Sequence, residues 1–121
     1  MWEYAPAPES RDIANLKPNY RMFVDGQFVE GSGEPLKTIN PGTEEVLAEV
    51  STASKSDVDT AVKAARRAYD RVWSKMPGSE RAKYIYRIAR QIQERGRELA
   101  VLESLDNGKP IKESRDVDVP T

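Results

Sequence analysis

Two apolar stripes at helical spacing constrain this chain more than any other feature. Val58, Ala61, Val62, Ala65, Ala68 and Tyr69 fall at i, i+3, i+4, i+7, i+10 and i+11, so they share one face of a helix. After Met76-Pro77-Gly78 the stripe recurs as Ala82, Ile85, Ile88, Ala89 and Ile92, in a helix that starts at Ser79-Glu80 and carries Arg87, Arg90, Glu94 and Arg95 on its other side. Ser54 or Ser56 supplies an N-cap to the first helix, with Asp57 or Asp59 three residues on. That pairing satisfies orphan N–H groups and sets negative charge at the positive end of the helix dipole. Gly96 marks a bend or a break. Leu99, Leu102 and Leu105 then carry an apolar row to Asp106-Asn107-Gly108, where Gly108 can take the left-handed conformation that closes a helix. Lys109-Pro110 opens a further helix through Ile111 and Val117.

Ahead of the stripes the period changes. Met22-Phe23-Val24 and Gln27-Phe28-Val29 flank Asp25-Gly26, the strongest short-range signal for a β-hairpin. Gly31-Ser32-Gly33 and Pro35 break the second strand. Leu36 to Ile39 reads as another extended piece, ending in an Asn40-Pro41-Gly42-Thr43 turn. Glu45 to Val50 reads as one more strand, alternating around Val46 and Val50. Residues 1–20 carry Pro6, Pro8 and Pro18 without a period, as an extended leader lying on something larger or as a loose tail. The fold class expected of this segment is α+β: a hairpin and short strands followed by amphipathic helices, an incomplete layer rather than a closed core.

Composition removes several chemistries. The chain has no cysteine and no histidine, which excludes disulfides, a thiol nucleophile, thiolate metal sites and an imidazole proton shuttle. No stretch approaches the ~20 apolar residues of a membrane span, and the first residues have no secretory pattern, so a cytoplasmic protein is expected. No dinucleotide-binding fingerprint, phosphate loop, zinc spacing or hydrolase elbow is present. The net charge of −1 is unevenly spread: −6 over residues 1–61, +8 over 62–97 and −3 over 98–121. A basic middle is one form a nucleic-acid face or an acid-binding module can take.

The order of elements carries a set of strings that resembles the start of the aldehyde dehydrogenase superfamily, over about residues 20–121. They are Phe23-Val24-Asp25-Gly26, Thr38-Ile39-Asn40-Pro41 with Thr43 and Glu45, Asp57-Val58-Asp59 leading Ala61-Val62 and Ala64-Ala65-Arg66, and Trp73. Further on come Arg81, Ile88-Ala89, Ile92, Glu94-Arg95, Leu99-Ala100, Leu102-Glu103 and Leu105-Asp106-Asn107-Gly108-Lys109-Pro110. The leader Glu3-Tyr4-Ala5-Pro6-Ala7-Pro8-Glu9-Ser10 resembles a less typical branch with a duplicated, partly inactive dehydrogenase region.

This resemblance implies an α/β family fold in which residues 21–121 form the first part of the NAD(P)-binding domain, after a leader over 1–20. It implies NAD- or NADP-dependent oxidation of an aldehyde to an acid through a thiohemiacetal on cysteine, in a homodimer or homotetramer. The family's cysteine, general-base glutamate, oxyanion-hole asparagine and cofactor loop lie downstream of Thr121 in related proteins, so no residue of this chain is expected to be catalytic or to bind the cofactor. One family feature maps onto it: a structural sodium or potassium ion, for which the resemblance names Thr38, the Ile39 carbonyl and Asp106 as ligands. Without the resemblance, Asp106 reads as an ordinary helix-end acid.

Three functions stand against one another: an enzyme segment, a binding module using 62–97, and an inactive structural region of a dehydrogenase relative. The basic residues lie among core-type spacings without an aromatic-interleaved strand platform, which favours the enzyme segment over nucleic acid. Tyr69 and Trp73 are expected in the core, Asp57 and Asp59 as dipole-matching acids, and Lys109 as a solvated or helix-start cation.

Overall fold

A computed structural model of the chain describes residues 10–121. The leader through Glu9, including the branch-like string, lies outside the described residues apart from Ser10. After a 3-10 turn at Arg11–Ile13 come five strands among the described residues: β1 Asn19–Tyr20, β2 Met22–Val24, β3 Gln27–Val29, β4 Leu36–Ile39 and β5 Val46–Val50. The helices follow as α1 Lys55–Arg71, α2 Gly78–Glu94, α3 Gly96–Asn107 and the short α4 Ile111–Glu113, which widens into a π-turn over Ser114–Asp118.

The hairpin forms where Asp25-Gly26 places it. Asp25 and Gly26 both take positive φ, 52° and 80°, so the turn's twist matches that of its strands. The register sets Phe23 opposite Phe28, with ring centroids 5.1 Å apart. A separate three-stranded sheet has the order β1-β5-β4, parallel between β1 and β5 and antiparallel between β4 and β5. The described part of the leader is therefore docked: Asn19–Tyr20 is an edge strand, Ala14 is buried, and Arg11 pairs with Glu45 at 3.1 Å. Its Arg11–Ile13 piece is a 3-10 turn, not extended.

The simple alternation expected around Val46 and Val50 does not hold. Thr38 pairs with Ala48 but Ile39 pairs with Val46, so Leu47 is an extra residue in β5. A bulge shifts the faces by one residue. Val46 is thereby turned outward, while Ala48 is buried.

Ser54 caps α1 in a full capping box with Asp57. Asp57 also ties down the glycine loop ahead of it: its Oδ2 accepts from the Ser32 N–H at 2.9 Å and the Ser32 hydroxyl at 2.6 Å. Gly31 is required there, because a Cβ would stand 2.0 Å from the Thr52 carbonyl oxygen. Together the Ser32 and Ser54 donors hold the Asp57 carboxyl far below the usual carboxylate range.

The helices keep the expected periodicity but not the expected burial. In α1 only Ala64 is buried, on the side that borders the hairpin, while Ala61 is half-buried and Ala65 and Ala68 are exposed. Val58, Val62 and Tyr69 remain 52%, 60% and 48% exposed. The expectation of a core Tyr69 and Trp73 is corrected likewise. Trp73 sits in a 3-10 turn after α1, exposed, with its ring edge-on to Tyr84 of α2 at 6.2 Å. A hydrophobic stripe is a demand for a partner, and these faces have none within the described chain. Arg95, with φ −103° and ψ 16°, makes the break between α2 and α3 beside Gly96.

The small core lies between the three-stranded sheet, the 3-10 turn and α3. Ala14, Ala48, Ala100 and Val101 fill it. Ser114, fully buried, accepts a hydrogen bond from the Ser104 hydroxyl at 3.1 Å and seats the last turn on α3.

Candidate site at the strand and helix junction

Two of the residues singled out by the resemblance, Thr38 and Asp106, meet where β4 ends and α3 ends. Two local devices steer them there. On the strand side, Asn40 is buried and folds the turn around itself: its side-chain oxygen accepts from the Gly42 N–H at 2.9 Å, and its carbonyl accepts from the Glu44 N–H at 2.8 Å. Its own N–H donates to the Glu45 carbonyl at 2.9 Å, closing the loop between β4 and β5. On the helix side, Gly108 takes φ 75° as the left-handed cap, and its N–H donates to the Ser104 carbonyl at 3.0 Å. Asn107 braces the same end, donating to Glu103 at 2.6 Å and accepting from the Lys109 N–H at 2.7 Å.

These ends touch through Pro41 and Gly108. A Cβ on Gly108 would lie 2.8 Å from Pro41 Cγ, so glycine serves both the positive φ and the close approach. Just before this cap, in the last turn of α3, Asp106 Oδ1 accepts from the Thr38 hydroxyl. Thr38 is half-buried and Asp106 exposed, so the contact is solvent-facing. Ile39 follows at the bulge, paired with Val46 and 49% exposed. Thr38 and Asp106 are thus brought together across the fold.

A groove of about 360 Å³ runs from this junction between sheet and helix. Its walls are Tyr20, Val50, Leu99 and Leu102, and Thr38 and Asp106 stand at its polar end. No His, Cys, Asp or Glu cluster of three gathers among the described residues. That donor set suits neither a transition metal nor a carboxylate-rich calcium cage. The groups shown together there are a hydroxyl and a carboxylate, oxygen donors of the kind a hard cation takes.

Lys109 stands just ahead of α4, as a helix-start cation would, but it is not simply solvated. Its ammonium donates to Asp118 at 2.5 Å, and that hydrogen bond raises its pKa above the ordinary lysine value. The basic stretch is similarly engaged. Lys63 pairs with Asp59, Arg67 with Asp25, Lys83 with Glu80 and Arg90 with Glu94, while Arg66 and Arg87 stack on Tyr69 and Tyr84. Sequence reasoning misses the contact of Pro41 on Gly108 and the burial of Asn40. In the sequence these residues read as local turn formers, and local signals carry no information about which distant turn they meet.

With this geometry in view, comparison with known proteins decides the family. The model of the aldehyde dehydrogenase family matches residues 28–121. The chain belongs to the aldehyde dehydrogenase family. It is 44% identical over 102 residues to an aminoaldehyde dehydrogenase of Arabidopsis thaliana, covering 80% of this chain and 20% of that protein. Among solved structures it is similar to an aldehyde dehydrogenase from Bacillus cereus, with a TM-score of 0.84 and 43% identity over 93% of this chain and 23% of that one. An NAD+ complex of the Bacillus cereus enzyme matches at a TM-score of 0.81 and 42% identity, over 96% of this chain and 24% of that one. The chain spans about a fifth to a quarter of the length of these aldehyde dehydrogenases. Among the described residues no helix is long and apolar enough to cross a membrane.

Proposed function

We propose that this chain is the amino-terminal portion of an NAD- or NADP-dependent aldehyde dehydrogenase that oxidises an aldehyde to a carboxylic acid. The observation that carries the reading is the agreement of sequence and backbone: 43% identity and a TM-score of 0.84 to one enzyme of the family over nearly the whole chain. Residues 21–121 form the first part of the NAD(P)-binding domain, with 1–20 as its leader. The nicotinamide cofactor would supply hydride acceptance when bound to the complete subunit. This segment supplies neither the thiol that attacks the aldehyde nor a cofactor contact, since it has no cysteine and no glycine-rich dinucleotide loop. Its work is architectural: it fixes the sheet and α3 against each other at the Thr38–Asp106 and Pro41–Gly108 junction.

A sodium or potassium ion belongs to the same reading. Thr38, the Ile39 carbonyl and Asp106 would hold it, and its positive charge would offset the Asp106 carboxylate at a helix C-terminus, the end where negative charge is unfavourable. The complete protein acts in the cytoplasm as a homo-oligomer. Nucleic acid is not a partner, a reading supported by the ion pairs that engage the basic side chains of residues 62–97.

The test joins the 121-residue chain to the part of the Bacillus cereus enzyme beyond its matching segment, and measures NADH formation with an aldehyde. The hybrid is expected to turn over while the 121-residue chain by itself forms no NADH. A folded hybrid without activity overturns the reading.

A further inference from the structure

Four asparagines stand in the chain, and the residues that follow them are Leu16, Tyr20, Pro41 and Gly108. An asparagine loses its amide when the backbone nitrogen of the next residue attacks its side-chain carbon, so the bulk of that next residue governs the reaction. Leu16 and Tyr20 crowd the approach, and Pro41 has no N–H to give up. Gly108 has no side chain and the widest backbone freedom, which makes Asn107 the asparagine whose neighbour is able to react. Asn107 is also exposed, so water reaches it.

In the closed fold each group this reaction needs is already engaged. The Gly108 N–H donates to the Ser104 carbonyl at 3.0 Å. Asn107 Nδ2 donates to Glu103 Oε1 at 2.6 Å, and its Oδ1 accepts from the Lys109 N–H at 2.7 Å. As the last residue of α3, Asn107 has its backbone held helical. Pro41 closes the other side, since a Cβ on Gly108 would lie 2.8 Å from its Cγ, and the Thr38 hydroxyl holds Asp106 one residue earlier. Attack therefore waits on a local opening of the last turn of α3 away from the β4 turn, an event less costly than unfolding the whole chain.

We propose that Asn107 is a site of spontaneous deamidation gated by this junction. When the end of α3 opens, the Gly108 nitrogen gives up its proton and bonds to Asn107 Cγ, the Cγ–Nδ2 bond breaks, and Nδ2 leaves as ammonia. One water then opens the cyclic imide at either carbonyl, giving aspartate or isoaspartate with no change of oxidation state. Either product hinders closing. The amide that donated to Glu103 is replaced by a carboxylate, beside Asp106 and at the helix end where negative charge is unfavourable. Isoaspartate also lengthens the backbone by a methylene where Pro41 leaves little room. Each opening can thus be recorded irreversibly, whatever reaction the complete protein performs.

The 121-residue chain, Thr38→Val and Asn107→Asp are incubated at one neutral pH, folded and in unfolding urea, and their peptides are read by mass spectrometry for loss of amide at each asparagine. In urea Asn107 is expected to convert while Asn15, Asn19 and Asn40 keep their amides. Folding is expected to slow Asn107 at least about tenfold, as protection by a local closed state does. Thr38→Val is expected to speed the folded chain about two- to fivefold, as loss of one exposed hydrogen bond from the closed state implies, and to leave the rate in urea unchanged. Asn107→Asp, which installs the product, is expected to exchange its Gly108 N–H faster than the parent. The proposal is overturned if Asn107 keeps its amide in urea, if folded and unfolded chains convert alike, if folded Thr38→Val converts like the parent, or if Asn107→Asp protects the Gly108 N–H as well as the parent does.

Discussion

The hydroxyl of Thr38 donates to the carboxylate of Asp106, joining the end of β4 to the last turn of α3 across 68 positions of sequence. The contact faces solvent, so it contributes modestly. Thr38→Val is expected to lower stability by about 0.5–1 kcal/mol in urea unfolding. No change in the midpoint would mean that Pro41 and Gly108 hold the junction without it.

If this junction holds an alkali cation, the identity of the salt matters and not merely its strength. Melting in potassium or sodium chloride is expected at a higher temperature than in tetramethylammonium chloride of equal ionic strength, with the difference abolished by Asp106→Ala. Identical melting in all three salts would rule the ion out.

Much of this is legible in the sequence. Asp25-Gly26 announces its hairpin, Ser54 with Asp57 its helix start, and Gly108 its helix end, because each signal is local chemistry. The meeting of Thr38 and Asp106 is legible only through family resemblance, since no spacing rule relates residues so far apart. The burial of the stripes differs from expectation for a physical reason. Periodicity reports which face of α1 or α2 is apolar, but says nothing of whether the surface that covers it is present. The Leu47 bulge is invisible in sequence because it depends on how β5 meets β4.

The Asp57 cluster predicts a defined acid response. Its carboxyl is held well below 3.8 by the Ser32 and Ser54 donors. The stability it adds is therefore complete above that ordinary value and is lost as pH falls toward the folded value. The gap in urea midpoint between the parent chain and Asp57→Asn should be widest near about pH 6 and narrow by about pH 2.5. A gap independent of pH would show that the hydrogen bonds do not depend on the charge.

The two crowded glycines should differ in severity. Gly108→Ala meets a positive φ and Pro41 Cγ at 2.8 Å, and is expected to cost about 1–2 kcal/mol. Gly31→Ala meets backbone, the Thr52 carbonyl oxygen at 2.0 Å, which cannot swing aside as a side chain can. It should therefore cost more, and it should displace the Ser32 contact with Asp57. Equal melting temperatures for the two variants would contradict this ranking.

The proposed function makes the chain a structural portion of an aldehyde dehydrogenase that contributes no catalytic group. The decisive measurement is NADH formation, with one aldehyde and NAD, from the purified 121-residue chain and from its hybrid with the Bacillus cereus remainder. NADH is expected from the hybrid and none from the chain by itself. NADH from the isolated chain, or a folded hybrid that forms none, would refute the reading.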